Sequence, residues 1–250
     1  MIELLTGTPL LLTATFLAGA LNAVAGGGTF LTLPALIFIG MPAVTANATS
    51  TVALLPGYIS STYACRADLQ VPGKLPLTGI IVVSLLGGAL GAALLVLIPG
   101  DSFKILIPWL LLLSTAAFAI GPRLMGKPGT RQIASPGLTI ATVLIATTYG
   151  GYFNGGLGII LLALFGILGV PKLKTSNALK NLVSTLLTII AVIVYAWGGA
   201  ISWPEAVTMM AASMIGGYVG ARFIRQVRDS YVRTAVIIIG LIMTVLFFIY

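Results

Sequence analysis

The sequence predicts an all-α polytopic membrane protein made of two inverted-topology repeats. Each repeat has about five apolar segments, and glycine-broken helical hairpins meet near the bilayer midplane. Three observations carry that prediction. Of the 250 residues, 58% are hydrophobic and only 7% charged, where a soluble domain carries about 25% charged residues; mean hydropathy is +1.12. Clustered glycines interrupt an apolar run at corresponding places in the two halves, in NAVAGGGTFLTLPALIFIG from Asn22 and in NGGLGIILLALFGILGV from Asn154. Corresponding loops also differ in charge, as an inversion across the membrane requires.

The first half contains the apolar segments Leu10–Ala25, Thr29–Ile39, Val44–Ala64, Leu75–Ile98 and Phe103–Ile120. The second contains Leu138–Phe153, Leu157–Val170, Thr175–Trp197, Ala206–Phe223 and Thr234–Tyr250. The first segment is expected to stay in the membrane, because MIELLTGTPL carries Glu3 in place of the basic stretch that opens a cleavable signal. The second segment of each half has about 11 to 14 residues, roughly 17–21 Å of helix, short of the roughly 20 residues of a full span. It therefore pairs with the first segment as a hairpin. Interior glycine costs about 1 kcal/mol against alanine, and free backbone groups at membrane depth are tolerated only in protein or along a cavity. Such breaks are candidate binding loops. The third segments each follow a proline turn, and part of their polar start is ordinary N-capping. The fourth segments carry Ser84–Ala92 and Ser213–Ala221, glycine stripes read as close helix packing. Domain limits follow as 1–121 for the first repeat, 122–135 for a cytoplasmic linker and 136–250 for the second repeat.

The halves match at an offset near 130: Gly26 and Gly28 with Gly156 and Gly158, and Asn47 with Asn177. At 129, Gly40 and Pro42 match Gly169 and Pro171, and the two glycine stripes align; at 128, Asp101 and Ser102 match Asp229 and Ser230. The ordered series is an internal repeat. Positive residues favour the cytoplasm. The uncharged Gly40–Ala43 loop faces a counterpart with Lys172 and Lys174. The loop with Arg66 and Lys74 faces Gly198–Glu205, which has no basic residue, and Lys104 faces Arg222, Arg225, Arg228 and Arg233. Arg123, Lys127 and Arg131 place the linker in the cytoplasm, and both termini are then expected outside. The net charge of +8 is a topology signal of this kind and not a nucleic-acid footprint.

Helices restarting at Thr29 and Leu157 would aim free N–H groups and positive dipole ends at the protein centre, a ready anion site. This makes Gly26, Gly27, Gly28, Thr29, Gly155, Gly156 and Gly158 candidates, with Asn22 and Asn154 just before each break. Asn47, Thr49 and Ser50 in one third segment, and Asn177, Lys180 and Asn181 in the other, complete the candidate substrate shell. Lys180 lies six residues past Lys174, about 9 Å deeper if helical. Snorkelling to the cytoplasmic surface and direct ligand contact both fit it, snorkelling the better. It is the one cation near either proposed site. There is no histidine, and the five acids, Glu3, Asp68, Asp101, Glu205 and Asp229, all fall at a terminus or in loops. A carboxylate proton relay, a metal site and a hydrolytic triad have no material. Cys65, the single cysteine, has no disulfide partner. No cofactor is expected, and a basic bias without buried acid points to an anionic substrate.

These motifs bring a family into view. GGGTFLTLPALIF, then G-x-P-x-x-x-A-N-A-T-S, their second-half copy FNGGLGIILLALFGILGV-PKLKTSNALK and the loop GGAISW resemble the sulfite exporter TauE/SafE family of membrane permeases over nearly the whole chain. The run from Asn154 to Gly158 departs from the longer glycine run usual there. The resemblance implies two repeats, about eight spans, a bacterial inner-membrane location and movement of sulfite, organosulfonates or related anions. The reading is therefore a permease for a small sulfur oxyanion, favouring export by alternating access, with the bilayer and the anion as partners. Its rivals are a passive anion channel, a membrane enzyme relying on Cys65, and a scaffold without flux. Nothing in the sequence bears on oligomeric state.

Overall fold

A computed structural model describes residues 2–24, 26–71, 76–124, 135–170, 172–223 and 229–249. Among these the chain forms helices α1 (Ile2–Val24), α2 (Thr29–Phe38), α3 (Ala43–Cys65), α4 (Leu77–Leu97), α5 (Gly100–Leu124), α6 (Pro136–Tyr152), α7 (Leu157–Ile167), α8 (Leu173–Trp197), α9 (Trp203–Phe223) and α10 (Asp229–Ile249), with a 3-10 turn at Arg66–Asp68. The expected segments are all present as helices. α1 extends eight residues earlier than the first apolar segment, because Ile2 to Pro9 continue its hydrogen-bonded turns. The basic loop residues Lys74, Lys127, Arg131, Arg225 and Arg228 and the turn residue Pro171 lie outside the described residues.

Among the described residues, three helices are long and apolar enough to cross a membrane by length and composition: Leu77–Leu97, Gly100–Ala117 and Lys174–Trp197. The two hairpin helices are not, at 10 residues for α2 and 11 for α7, roughly 15–17 Å each. The surface has the polarity a lipid solvent demands. On α4, Leu86, Leu90, Leu94 and Leu97 are exposed, while Ser84, Gly87, Gly88, Gly91 and Ala92 are buried. Small residues turn inward because membrane helices gain by close van der Waals approach, with no hydrophobic drive to hide leucine from lipid.

The packing pairs fall into matched sets. α1 packs on α9 and α6 on α4; α3 packs on α9 and α8 on α4; α5 packs on α7 and α10 on α2. Two further contacts, α3 on α8 and α5 on α10, lie between counterpart helices. Glycines make the tightest crossings possible. A Cβ on Gly91 of α4 would lie 2.0 Å from the Thr148 carbonyl oxygen of α6, and one on Gly220 of α9 would lie 2.5 Å from Ala20 Cα of α1. The glycine stripes are therefore packing surfaces, as expected. The third helices differ from expectation at their starts. α3 follows Pro42 and α8 follows Lys172, neither with a side-chain cap bond. Their polar residues lie beyond the first turn and bond elsewhere.

Candidate functional site

Each hairpin breaks where the glycines predict. After α1 the chain turns through Gly26, at φ +82, and α2 starts at Thr29; after α6 it turns through Asn154, at φ 58, and Gly156, at φ +68, and α7 starts at Leu157. Left-handed φ is costly for most L-residues, and glycine, with asparagine next, adopts it most readily. Both tips are buried, and they touch back to back: a Cβ on Gly26 would lie 2.4 Å from Gly158 Cα. Side chains pin the breaks. The Gly28 N–H donates to Asn22 Oδ1 at 2.7 Å. The Gly155 carbonyl lies 2.8 Å from Ser114 Oγ and 2.7 Å from Tyr149 OH, and the two hydroxyls lie within hydrogen-bond distance of each other, so either one can donate to the carbonyl. Gly27 is buried beside them, and its carbonyl accepts the Phe30 N–H at 3.1 Å.

Lys180 does not snorkel. It is fully buried, and Nζ donates to the Asn22 carbonyl at 3.2 Å. That carbonyl belongs to the last turn of α1, where the negative end of the helix dipole favours a cation. The ammonium thus reaches the first hairpin break across 158 residues of sequence. Tyr58 of α3, buried to 2% exposure, reaches the second break by a long hydrogen bond of 3.4 Å from its hydroxyl to Asn154 Oδ1. Six buried polar atoms of the candidate residues have no hydrogen-bond partner in the protein: Asn22 Nδ2, Thr29 Oγ1, Asn47 Oδ1, Asn154 Nδ2, Asn177 Oδ1 and Asn181 Oδ1. Leaving such a group unsatisfied costs about 1–3 kcal/mol. Together with the buried Lys180 ammonium bonded to Asn22, they make a hydrogen-bonding demand that a polar solute can meet.

The side chains on α3 and α8 also make contacts of their own. Asn47 Nδ2 donates to the Tyr152 carbonyl at 3.0 Å, closing the end of α6 much as Lys180 closes the end of α1. Thr49 Oγ1 accepts the Ser202 N–H at 3.0 Å, and Ser50 shares a 2.6 Å hydrogen bond with Thr32. These two hydroxyls tie helices together. Asn177 and Asn181 both donate through Nδ2 to Cys65 Sγ, at 3.8 and 3.7 Å. This brings the end of α3 to the start of α8, so Arg66, Lys172 and Lys174 share one end of the bundle. Among the described residues no group of three His, Cys, Asp or Glu side chains could hold a metal.

Sequence reasoning missed Tyr58, Ser114, Tyr149 and Cys65 as parts of the site. Two of them were within reach. Tyr58 and Cys65 follow Asn47 by 11 and 18 residues, about three and five turns, and so share its face. Nothing local marks Ser114 or Tyr149.

A family model described as Sulfite exporter TauE/SafE matches residues 11–247. Three relatives carry the description "Probable membrane transporter protein". One from Haemophilus influenzae is 30% identical over 235 residues, covering 92% of this chain and 89% of that protein. One from a Sinorhizobium species is 28% identical, covering 94% and 90%. One from Escherichia coli K12 is 25% identical, covering 95% and 89%.

Proposed function

The chain belongs to the sulfite exporter TauE/SafE family, and from that premise we propose that it is a membrane permease for a small sulfur oxyanion or organosulfonate. It moves the anion outward, by alternating access around the two hairpin tips. The observation that carries this reading is Lys180, a fully buried ammonium bonded to a backbone carbonyl in a chain whose five acids all fall at a terminus or in loops and helix ends. Burying an ion costs several kcal/mol unless a counter-charge offsets it. An acceptor-only anion supplies that charge. It also takes hydrogen bonds from the Asn22 and Asn154 amides and the Thr29 hydroxyl, whose free atoms lie at the positive dipole ends of α2 and α7. Outward movement of an anion gains about 2.3 kcal/mol per charge per 100 mV of inside-negative potential.

The architecture of the reading is two inverted repeats, 1–121 and 136–250, joined by a cytoplasmic linker at 122–135, in the bacterial inner membrane with both termini outside. The matched packing pairs support a repeat. The close approach of Cys65 to Asn177 and Asn181, and of Thr49 to Ser202, supports antiparallel counterparts α3 and α8. Clustering of Arg66, Lys172 and Lys174 at one end supports its cytoplasmic placement.

The test is anion flux in proteoliposomes at set membrane potentials, offering sulfite, sulfoacetate, thiosulfate, sulfate and chloride in turn. Saturable, potential-driven flux of a sulfur anion in wild type, lost in Lys180→Leu and Asn22→Leu, is the expected result. Non-saturable flux without counter-transport would replace the carrier by a channel. Folded protein that moves no anion would sink the transport reading and leave a scaffold.

A further inference from the structure

On α8, Asn177, Asn181, Ser184 and Thr188 follow one another at spacings of four, three and four residues, within about 60° of one helix face at roughly 100° per residue. That face looks at α3. Asn177 and Asn181 bond Cys65, and the adjacent Thr185 shares a 2.8 Å hydrogen bond with Thr62. Continuing the antiparallel pairing brings Thr188 to the level of Tyr58, and Tyr58 bonds Asn154 at the second hairpin break. The face therefore runs about 16 Å from the hairpin tips to the end that carries Arg66, Lys172 and Lys174.

Each residue of this line has a polar atom without a partner: Asn177 Oδ1, Asn181 Oδ1, Ser184 Oγ and Thr188 Oγ1. Asn181, Ser184 and Thr188 are fully buried. A buried helical hydroxyl ordinarily bonds the carbonyl four residues back, as Thr51, Ser84, Thr147 and Thr185 do here. Ser184 and Thr188 do not. The counterpart line on α3, at an offset of 130, is Asn47, Thr51, Leu54 and Tyr58. Its hydroxyls are bonded, and leucine stands where α8 has serine. The free hydroxyls thus occupy only one half of the α3–α8 seam, the half leading to the basic end.

We propose that this half-seam is the anion's route between the hairpin tips and the basic end, with Cys65 and Asn177 at its mouth. The proposal rests on the permease reading. Ser184 and Thr188 can donate their hydroxyl protons to a passing oxyanion. A half-turn of the Asn177 or Asn181 amide presents its NH2 group in place of Oδ1, while the Cys65 thiol donates to the amide oxygen. Lys180, adjacent to Asn181 in sequence, extends Nζ to the Asn22 carbonyl at the first hairpin break and supplies the charge there. The exposed Arg66, Lys172 and Lys174 concentrate anions at the outer end.

Cysteines introduced one at a time at Ser184, Thr188 and Ile193 of a Cys65→Ser protein test the route with a membrane-impermeant sulfonate-bearing methanethiosulfonate. Ile193 is 53% exposed on the opposite, lipid-facing side of α8. Only the thiolate reacts, and apolar burial suppresses it, so Ser184→Cys and Thr188→Cys are expected to label on the order of tenfold faster than Ile193→Cys. They should do so from the basic side, and sulfoacetate should slow them. Equal labelling at all three positions, or labelling from the opposite side alone, overturns the route. Should a cysteine variant misfold, Ser184→Ala and Thr188→Val carry the test. Each should lower flux about fivefold, the worth of one hydrogen bond, without lowering the melting temperature, and unchanged flux overturns the route. Wild type with saturable flux and an unreactive seam removes the route alone; wild type without flux removes the permease reading and the route with it.

Discussion

Replacing Gly26 with alanine tests whether the two hairpin tips bear on each other. Two penalties apply to the added methyl group, and the structure separates them. Gly26 has φ +82, where an L side chain costs roughly 1–2 kcal/mol. Its Cβ would also stand 2.4 Å from Gly158 Cα and 3.1 Å from the Gly158 nitrogen and carbonyl carbon. Those are backbone atoms that cannot rotate away, and overpacking of this kind costs about 1–3 kcal/mol. The sum is about 2–5 kcal/mol. Gly40 isolates the first penalty, since it has φ +88 and a methyl group added there would meet nothing within 4 Å. Gly137 carries neither, having open space and no positive φ. Melting temperatures of the purified variants in detergent should therefore fall in the order Gly137→Ala above Gly40→Ala above Gly26→Ala. Flux should drop in Gly26→Ala beyond what Gly40→Ala loses. If Gly26→Ala melts with Gly40→Ala and transports like wild type, the tips do not press together, and the picture of a centre built on their contact is wrong.

Other outcomes follow from named contacts. Lys180→Met should abolish potential-driven flux while leaving the melting temperature unchanged or higher, because burying an ion without a counter-charge costs several kcal/mol that methionine does not incur; a marked loss of stability would show that the ammonium holds the fold. Ser114→Ala and Tyr149→Phe each leave the Gly155 carbonyl one donor, so each should cost about 0.5–1.5 kcal/mol, while the double variant, which orphans that carbonyl, should cost more than the sum. An additive double-mutant cycle would refute the shared clamp. Thr49→Val removes the acceptor for the Ser202 N–H and should destabilise by about 1–3 kcal/mol in the same melting assay, with residual flux showing the same substrate preference; altered preference would return Thr49 to the anion's shell.

Much of the architecture was legible because its causes are local. A cluster of glycines interrupts a helix wherever it falls, and a segment of 10 or 11 residues is too short to span whatever surrounds it. The restarts at Thr29 and Leu157 and the packing role of the glycine stripes could thus be read from composition and spacing alone. The division of labour among the polar residues could not. Asn47, Thr49 and Ser50 look alike in sequence, yet Thr49 and Ser50 are engaged by Ser202 and Thr32 while Asn47 keeps an unpartnered oxygen. Ser114 reaches the hairpin only because α5 is folded against it, and Tyr149, on the hairpin's own first arm, meets the Gly155 carbonyl because the chain turns back at the break. Lys180 is the sharpest case. Six residues past Lys174, a lysine can turn outward to the headgroups or inward to the centre at similar helical depth, and periodicity does not choose. The choice was made by the end of α1, which sets a carbonyl at the negative pole of a helix within reach of Nζ, 158 residues away along the chain. What sequence determined was where helices break and which residues are polar; which polar groups are left without partners depended on contacts that only the packed bundle brings together.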